Sequence, residues 1–525
     1  MTSADGKQFK VTYTSASTDL GEFHRLFDEG LAWAREHMGR EHALRIDGQV
    51  LRSELPPIVD VSPIDTTQIL GRFAAATPTH VDLAVRAAKV AQKPWAALPW
   101  QQRLTVMRAA AAEIRRRKWQ IGAVMSREVG KSRMEAMGDA EESADLIDYY
   151  ADSVEQHDGF SRPLGRLSAN ENTRDVLRPY GVFACIAPFN FPMALSAGMS
   201  SAALMTGNAV VYKPAQDAPW TGLLLHECYM AAGLPAGVFH FVSGTGGQIG
   251  DAMWRHPQVD GVVFTGSKEV GMRMLREFST AFPKPTLMEL GGKNPTYVAA
   301  SADLDMAAEG VARSAFGLQG QKCSACSRVY VHASVAAAFT EKLLAITRAL
   351  RIGDPSERDV YFGPVINSRA LATFVGAVAS AQDRGELLLG GQRLQDGPLA
   401  RGHYVAPTIV RLPLDHELFA RELFVPVLAL GVVDGVEQAL HESNRVDYGL
   451  TSGIFSGERA EIDRWFDNIE SGVCYANRRS GATTGAWPGV QSFTGWKGSG
   501  SSGKGGCGPY YVQQFMREQS RTVME

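Results

Sequence analysis

The chain has 525 residues, too many for a single core, and its hydrophobic (45%) and charged (21%) fractions are those of a soluble globular protein. A formal net charge of -3, from 53 basic and 56 acidic residues, argues against a surface built to neutralise nucleic acid. No stretch reaches the roughly 20 apolar residues of a membrane span, the first residues lack an apolar leader, and six cysteines are too few for a disulfide framework, so a cytoplasmic setting is expected.

In chain order, Leu20, Phe23, Phe27, Leu31 and Ala34 fall at helical spacing and predict a helical N-terminal arm over residues 1–45. Beyond Pro56, Pro57 and Pro63, helices are predicted over 80–97, 101–118 and 131–156. From Gly181 the pattern changes. GVFACIAP, NAVVYKP, VFHFVSG, VDGVVFTG and TLMEL read as strands, with helices over 193–206, 219–232, 247–255 and 268–279 between them. Strands alternating with helices pair in parallel through right-handed crossovers, which is a doubly wound α/β sheet. A second α/β region runs from 292 to about 472, with strands SRVYVH, FVPVLALGVV and SGIFSG and helices over 334–349, 368–383 and 460–469. Residues 487–508, dense in Gly and Ser, read as an irregular loop.

Several motifs carry chemistry. GTGGQIG (244–250) and FTGSKEVG (264–271) each follow a strand and open a helix, where backbone N–H groups and the helix dipole favour a phosphate. Lys213 ends a strand at the same sheet edge, where ligands usually bind. Glu289 ends an apolar strand against Gly291 and Gly292; partial desolvation there would lift its carboxyl toward a useful base. In GQKCSACSR, Cys323 sits among Gly and polar residues, and Lys322 and Arg328 are expected to favour its thiolate. The amide of Asn190, in PFNFP, could donate to an oxyanion. Cys323 and Cys326 form a single CxxC with no second pair, so a zinc site is not expected. Cys185, Cys228, Cys474 and Cys507 read as structural.

Taken together, PFNFP, GNAVVYKPA, FTGSKEVG, MELGGKNP, GQKCSACSR and ELFVP resemble, in order and spacing, the aldehyde dehydrogenase superfamily from about residue 45 onward. The resemblance implies residue roles. Lys213 would hold the adenosine ribose of NAD, Gly266 and Ser267 the pyrophosphate, and Glu422 and Phe424 the nicotinamide ribose and ring. Cys323 would attack the aldehyde, Asn190 would stabilise the oxyanion, and Glu289 would activate water. A narrower resemblance, through EVGKSRMEAMGDAEESADLIDYYA, YANRRSGA and QSFTGWKGSGSSGKGG, is to 1-pyrroline-5-carboxylate dehydrogenases, which oxidise L-glutamate γ-semialdehyde. There Ser324 and the backbone of Gly481 and Ala482 would anchor the substrate's α-carboxylate, with Phe191 and Phe493 flanking its chain.

The sequence also departs from the pattern. Phe189 replaces a more common Trp, and Val425 replaces a Gly. Gln216 stands where NAD-preferring members often carry Glu, which leaves NADP open. AWPG (486–489) looks inserted, and Trp487 and Trp496 are placed to reshape the substrate mouth. The same chemistry on another aldehyde, or an inactive binding homologue, are the alternatives.

The implied fold is aldehyde dehydrogenase-like. A Rossmann-type dinucleotide-binding domain would take 46–156 and 179–288, and an α/β catalytic domain 289–485. A small β oligomerisation flap would take 157–178 and 500–525 and join two chains into a homodimer or an assembly of dimers. No metal, nucleic acid or membrane partner is expected.

Overall fold

The computed structural model describes residues 20–481 and 487–525. The first helix, Leu20–His37, turns Phe23, Phe27, Leu31 and Ala34 inward and lays them on the helix Trp100–Val129, with the Phe23 ring edge-on to Trp119 at 5.6 Å. It stops short of residue 45. Gly39, at φ 75°, turns the chain out of the helix, and the strands Arg40–His42, Leu44–Ile46 and Gln49–Leu51 follow.

Five parallel strands make the heart of the first sheet, in the order Thr286–Glu289, Gly261–Thr265, Val182–Ile186, Ala209–Lys213 and Phe239–Phe241. Leu44–Ile46 and Gln49–Leu51 extend it antiparallel. Four of the five strands are buried at every residue, which is why they read as unbroken apolar runs rather than alternating ones. Val182–Ile186 comes first in the chain, and the order proceeds from it in opposite directions. The crevice beyond its C-terminal end is therefore the topological switch point, where such sheets bind ligands. Helices Arg133–Gln156 and Ala194–Met205 pack together beside that crevice.

The second sheet orders Glu386–Leu389, Thr408–Arg411, Val427–Val433, Cys326–His332, Asn294–Val298, Thr451–Phe455 and Val473–Ala476. All its pairs are parallel except the first. Asn294–Val298, near its centre, is wholly buried, has Pro295 as its second residue and shows no alternation, so periodicity does not reveal it.

A separate antiparallel sheet pairs Met516–Met524 with Glu171–Pro179 over nine residues and adds Ser161–Pro163 on the far side. The outer strand is exposed from Arg517 onward. The Gly/Ser-rich tail is irregular, but it is not a passive linker. Ser499 is fully buried, Leu290 N donates to Ser499 O at 2.9 Å, and the Ser501 hydroxyl bridges Met288 N and Thr286 O. The tail thus seals the edge of the strand that ends in Glu289. Its glycines are demanded by close approach: a Cβ on Gly505 would lie 1.6 Å from Phe493 O.

Candidate active site

Both sheets send their chemistry to one place. Cys323 and Glu289 line the same pocket, which encloses about 830 Å³ of space with its open mouth included. Phe191, Ser324 and Phe493 share that lining, together with Glu142, Tyr150, Cys507 and Tyr511.

Local backbone holds the thiol in place. Leu318 and Gln319 adopt φ of 44° and 55° just before the nucleophile loop, a left-handed conformation that costs residues with a Cβ. Asn294 pays part of that cost: its Nδ2 donates to Cys323 O at 2.7 Å and to Ala325 O at 2.9 Å, while its Oδ1 accepts from Thr451 N at 3.0 Å. Asn294 is thus a positioning residue that sequence reasoning missed, although it lies within MELGGKNP. Gly292 is required beside it, because an added Cβ would sit 2.8 Å from Cys323 O.

The electrostatics correct one expectation. Burial, then the neighbouring Glu289 and Glu422 carboxyls, push the Cys323 thiol up to about 12; the backbone N–H groups of Ser324 and Cys323 pull the other way. Lys322 and Arg328 do not act as thiolate partners. The Lys322 ammonium is bound to Glu135, and the Arg328 guanidinium donates to the carbonyls of Lys293, Glu442 and Ser443. Burial alone pushes Glu289 well above the usual carboxylate range, and among the described residues its Oε2 has no hydrogen-bond partner. A desolvated carboxyl with an unused oxygen can take a proton from a water.

The PFNFP turn is fixed from the helix Arg133–Gln156. Asp139 Oδ1 accepts from Ala194 N at 2.7 Å, and its Oδ2 pairs with Lys131 Nζ at 2.6 Å; Lys131 and Asp139 are both fully buried. The same ammonium stands 3.8 Å from the centre of the Phe191 ring, and Lys322 stands 5.9 Å from it. Asn190, just before Phe191, is 2% exposed, and among the described residues its amide has no hydrogen-bond partner.

The remaining sequence candidates lie at the strand ends. Lys213 is buried, its pKa lowered by burial to about 8, and Nζ donates to Pro214 O at 2.8 Å and Gly244 O at 3.2 Å, which leaves one ammonium proton for a ligand. Ser267 caps the helix Lys268–Glu277, accepting from Val270 N, while Gly266 N donates to Glu289 O. Glu422 Oε1 accepts from Gly292 N at 2.9 Å, and burial pushes its carboxyl up to about 7. Phe424, at φ 58°, sets its ring edge-on to Phe189 at 5.9 Å. Glu422 and Phe424 line a smaller cavity with Gly292 and Lys322.

Other expectations change. Gly481 N already donates to Arg478 O at 2.9 Å, and Gly481 is absent from the pocket lining, so it is not a free carboxylate donor; Ala482 lies outside the described residues. Trp487 hydrogen-bonds Asp145, and Trp496 pairs with Gly449; neither lines the pocket. Of the AWPG insertion, Ala486 is outside the described residues. Cys507, read as structural, is a wall of the pocket, its N–H donating to the Tyr150 hydroxyl at 3.0 Å.

A thiol loop and a desolvated carboxyl thus meet in one pocket at the switch point of a doubly wound sheet. The comparisons agree: residues 51–521 match the aldehyde dehydrogenase family, and the chain belongs to that family. Within it, the chain is similar to full-length relatives named 1-pyrroline-5-carboxylate dehydrogenase. One from Bacillus mycoides (strain KBAB4) is 35% identical over 509 residues, covering 95% of this chain and 96% of the relative. 1-Pyrroline-5-carboxylate dehydrogenase 2 of Bacillus subtilis (strain 168) is 35% identical over 506 residues, with the same shares. Among solved structures, a 1-pyrroline-5-carboxylate dehydrogenase from Thermus with bound NAD superposes with a TM-score of 0.92 at 32% identity, covering 99% of each chain.

Proposed function

We propose that the chain oxidises an aldehyde to a carboxylic acid with NAD or NADP, and that its substrate is L-glutamate γ-semialdehyde. The observation that carries the reaction is the shared pocket: Cys323 and Glu289 line one cavity, and Glu289 Oε2 is buried with nothing to bind. The substrate reading rests on the named relatives.

Residues at the crevice fit a dinucleotide. Lys213 keeps a spare donor, and a Cβ added to Gly246 or Gly247 would meet nothing within 4 Å, so backbone there is open to a pyrophosphate. Lys213, Gly266 and Ser267 would hold the adenosine half, and Glu422 and Phe424 the nicotinamide half. The bound cofactor supplies a hydride acceptor. Cys323 Sγ, having given its proton to solvent water, adds to the aldehyde carbon, and the Asn190 amide with the Cys323 N–H stabilises the oxygen anion. Loss of hydride leaves a thioester on Cys323. Glu289 then takes a proton from a water that attacks the thioester, and the acid and the thiolate separate. Ser324 lines the pocket beside Cys323 and would anchor the α-carboxylate.

A second reading, the same chemistry on another aldehyde, is favoured by one observation. Among the described residues no Lys, Arg or His lines the pocket, and the Gly481 N–H is engaged elsewhere. Initial rates with glutamate γ-semialdehyde, succinate semialdehyde and simple aldehydes, each with NAD and NADP, decide between the two. A kcat/KM highest for glutamate γ-semialdehyde is expected; turnover only of the others would keep the mechanism and remove the substrate. Cys323→Ala should abolish oxidation while dinucleotide binding persists, and an active Cys323→Ala would end the nucleophile assignment. We also propose that the exposed strand Met516–Met524 joins a second copy of the chain.

A further inference from the structure

Glu289 stands in the wall between two cavities. The front one is the pocket it shares with Cys323; the rear one, about 220 Å³ in all and largely enclosed, is lined by Glu289, Thr265, Met199, Phe264, Ser502, Lys504 and Tyr511 among others. Ser502 and Lys504 are exposed, so the rear cavity reaches from the buried carboxyl toward the surface. Tyr511 borders both cavities. Its ring is locked between Tyr150, at 5.2 Å, and Phe515, at 5.4 Å, and the side chain is only 5% exposed. Among the described residues its hydroxyl has no hydrogen-bond partner. Tyr511 and Glu289 thus border both cavities, and among the described residues Glu289 Oε2 is buried without a partner, which is costly unless water or a ligand serves it. The space open to water in the rear cavity suffices for about one molecule, which its polar lining can hold.

We propose that Tyr511 is the proton-relay residue of the hydrolytic step, carrying the proton collected by Glu289 into water in the rear cavity and out past Ser502 and Lys504. The proposal rests on the hydrolytic reading of the site given above. In that step the water oxygen bonds to the thioester carbon, the carbon–sulfur bond breaks, and Cys323 leaves as thiolate. The water's proton goes to Glu289. Glu289 passes it through a water lying between the two side chains to the Tyr511 oxygen as the Tyr511 hydroxyl proton moves to the rear water, so both residues end as they began. Without an exit the carboxyl stays protonated and cannot serve a second turnover, because burial makes it hold its proton tightly. The ionisable groups around Glu289 are Cys323, Cys507 and Tyr511. Glu142 lies across the front pocket, and Lys504 at the rear mouth.

The test is Tyr511→Phe, which keeps the ring and its packing. Rapid-mixing traces of cofactor reduction should show a first turnover as fast as wild type, followed by a steady rate lower by about tenfold or more. The solvent deuterium isotope effect on that steady rate should rise. Ser502→Leu, which narrows the rear mouth and leaves Tyr511 in place, should slow the steady rate in the same way. A Tyr511→Phe enzyme with a wild-type steady rate, or one in which the first turnover slows as much as later ones, overturns the relay. A wild-type enzyme that reduces no cofactor with any aldehyde in the panel overturns the hydrolytic reading, and the relay with it.

Discussion

At the scale of the residue, the site is a study in desolvation. Cys323 and Glu289 are both buried enough that their charged forms are disfavoured in the free enzyme. The reactive thiolate is therefore scarce until a ligand or a proton acceptor changes its surroundings. The sign follows directly: with the thiol up at about 12, the thiolate fraction grows about tenfold per pH unit through the neutral and mildly alkaline range. Alkylation of Cys323 in ligand-free protein should climb accordingly, and a plateau below about pH 9 would show that a cation does stabilise the thiolate after all. In the proposed function Glu422 has the opposite use. Its carboxyl, up at about 7, is half protonated at neutrality, and only the ionised form accepts from two ribose hydroxyls. The KM for the dinucleotide should fall as pH rises through 7, and Glu422→Gln should flatten that dependence. Cys323, Glu289 and Asn190 could be singled out from residue type and neighbours in sequence, and the first two do share a pocket. The fate of Lys322 and Arg328 could not, because their partners, Glu135 and the carbonyls of Glu442 and Ser443, are more than a hundred residues away.

At the scale of the element, the helix Arg133–Gln156 acts as a clamp. Through Asp139 it holds Ala194, the first residue of the next helix, and through Glu135 it holds Lys322, next to the nucleophile. Because Lys131 and Asp139 are wholly buried, removing one partner strands the other's charge. Lys131→Met or Asp139→Leu alone should cost about 3–5 kcal/mol in a denaturant titration, whereas the double change should cost less than either. Equal or additive losses would show that the pair is not a closed unit. The tail behaves differently. Gly505→Ala would drive a methyl into the Phe493 carbonyl, so the segment bearing Phe493, Cys507 and Tyr511 should lose its seat and activity should collapse. Normal kcat in that variant would mean that the tail is adaptable. Strongly patterned helices and strands were legible in the sequence. The strand Asn294–Val298 and the structured course of the tail were not: one is buried on both faces and lacks periodicity, and the other is held by backbone and hydroxyl bonds that composition does not encode.

At the scale of the whole molecule, the aldehyde dehydrogenase fold could be inferred from the alternation of strands and helices and the order of six short motifs. What alternation alone could not give is where the sheets meet, since that depends on strand order. Placing Val182–Ile186 between Gly261–Thr265 and Ala209–Lys213 brings Asn190, Glu289 and Lys213 to one edge of one sheet. The flap is the outlying element: its outer strand carries hydrogen bonds on one side only. Removing residues 516–525 should lower the particle mass seen by light scattering. An unchanged mass would send the search for the interface elsewhere.

The late position of the tail has a further consequence for how the protein is made. Trp487 to Tyr511 leave the ribosome after both sheets, yet they supply Phe493, Cys507 and Tyr511 to the pocket and cover the edge strand that ends in Glu289. A nascent chain that has already folded both sheets therefore still holds an open trough, with its carboxylate in water and its thiol unsheltered. A chain cut before residue 487 is therefore expected to be silent rather than misdirected.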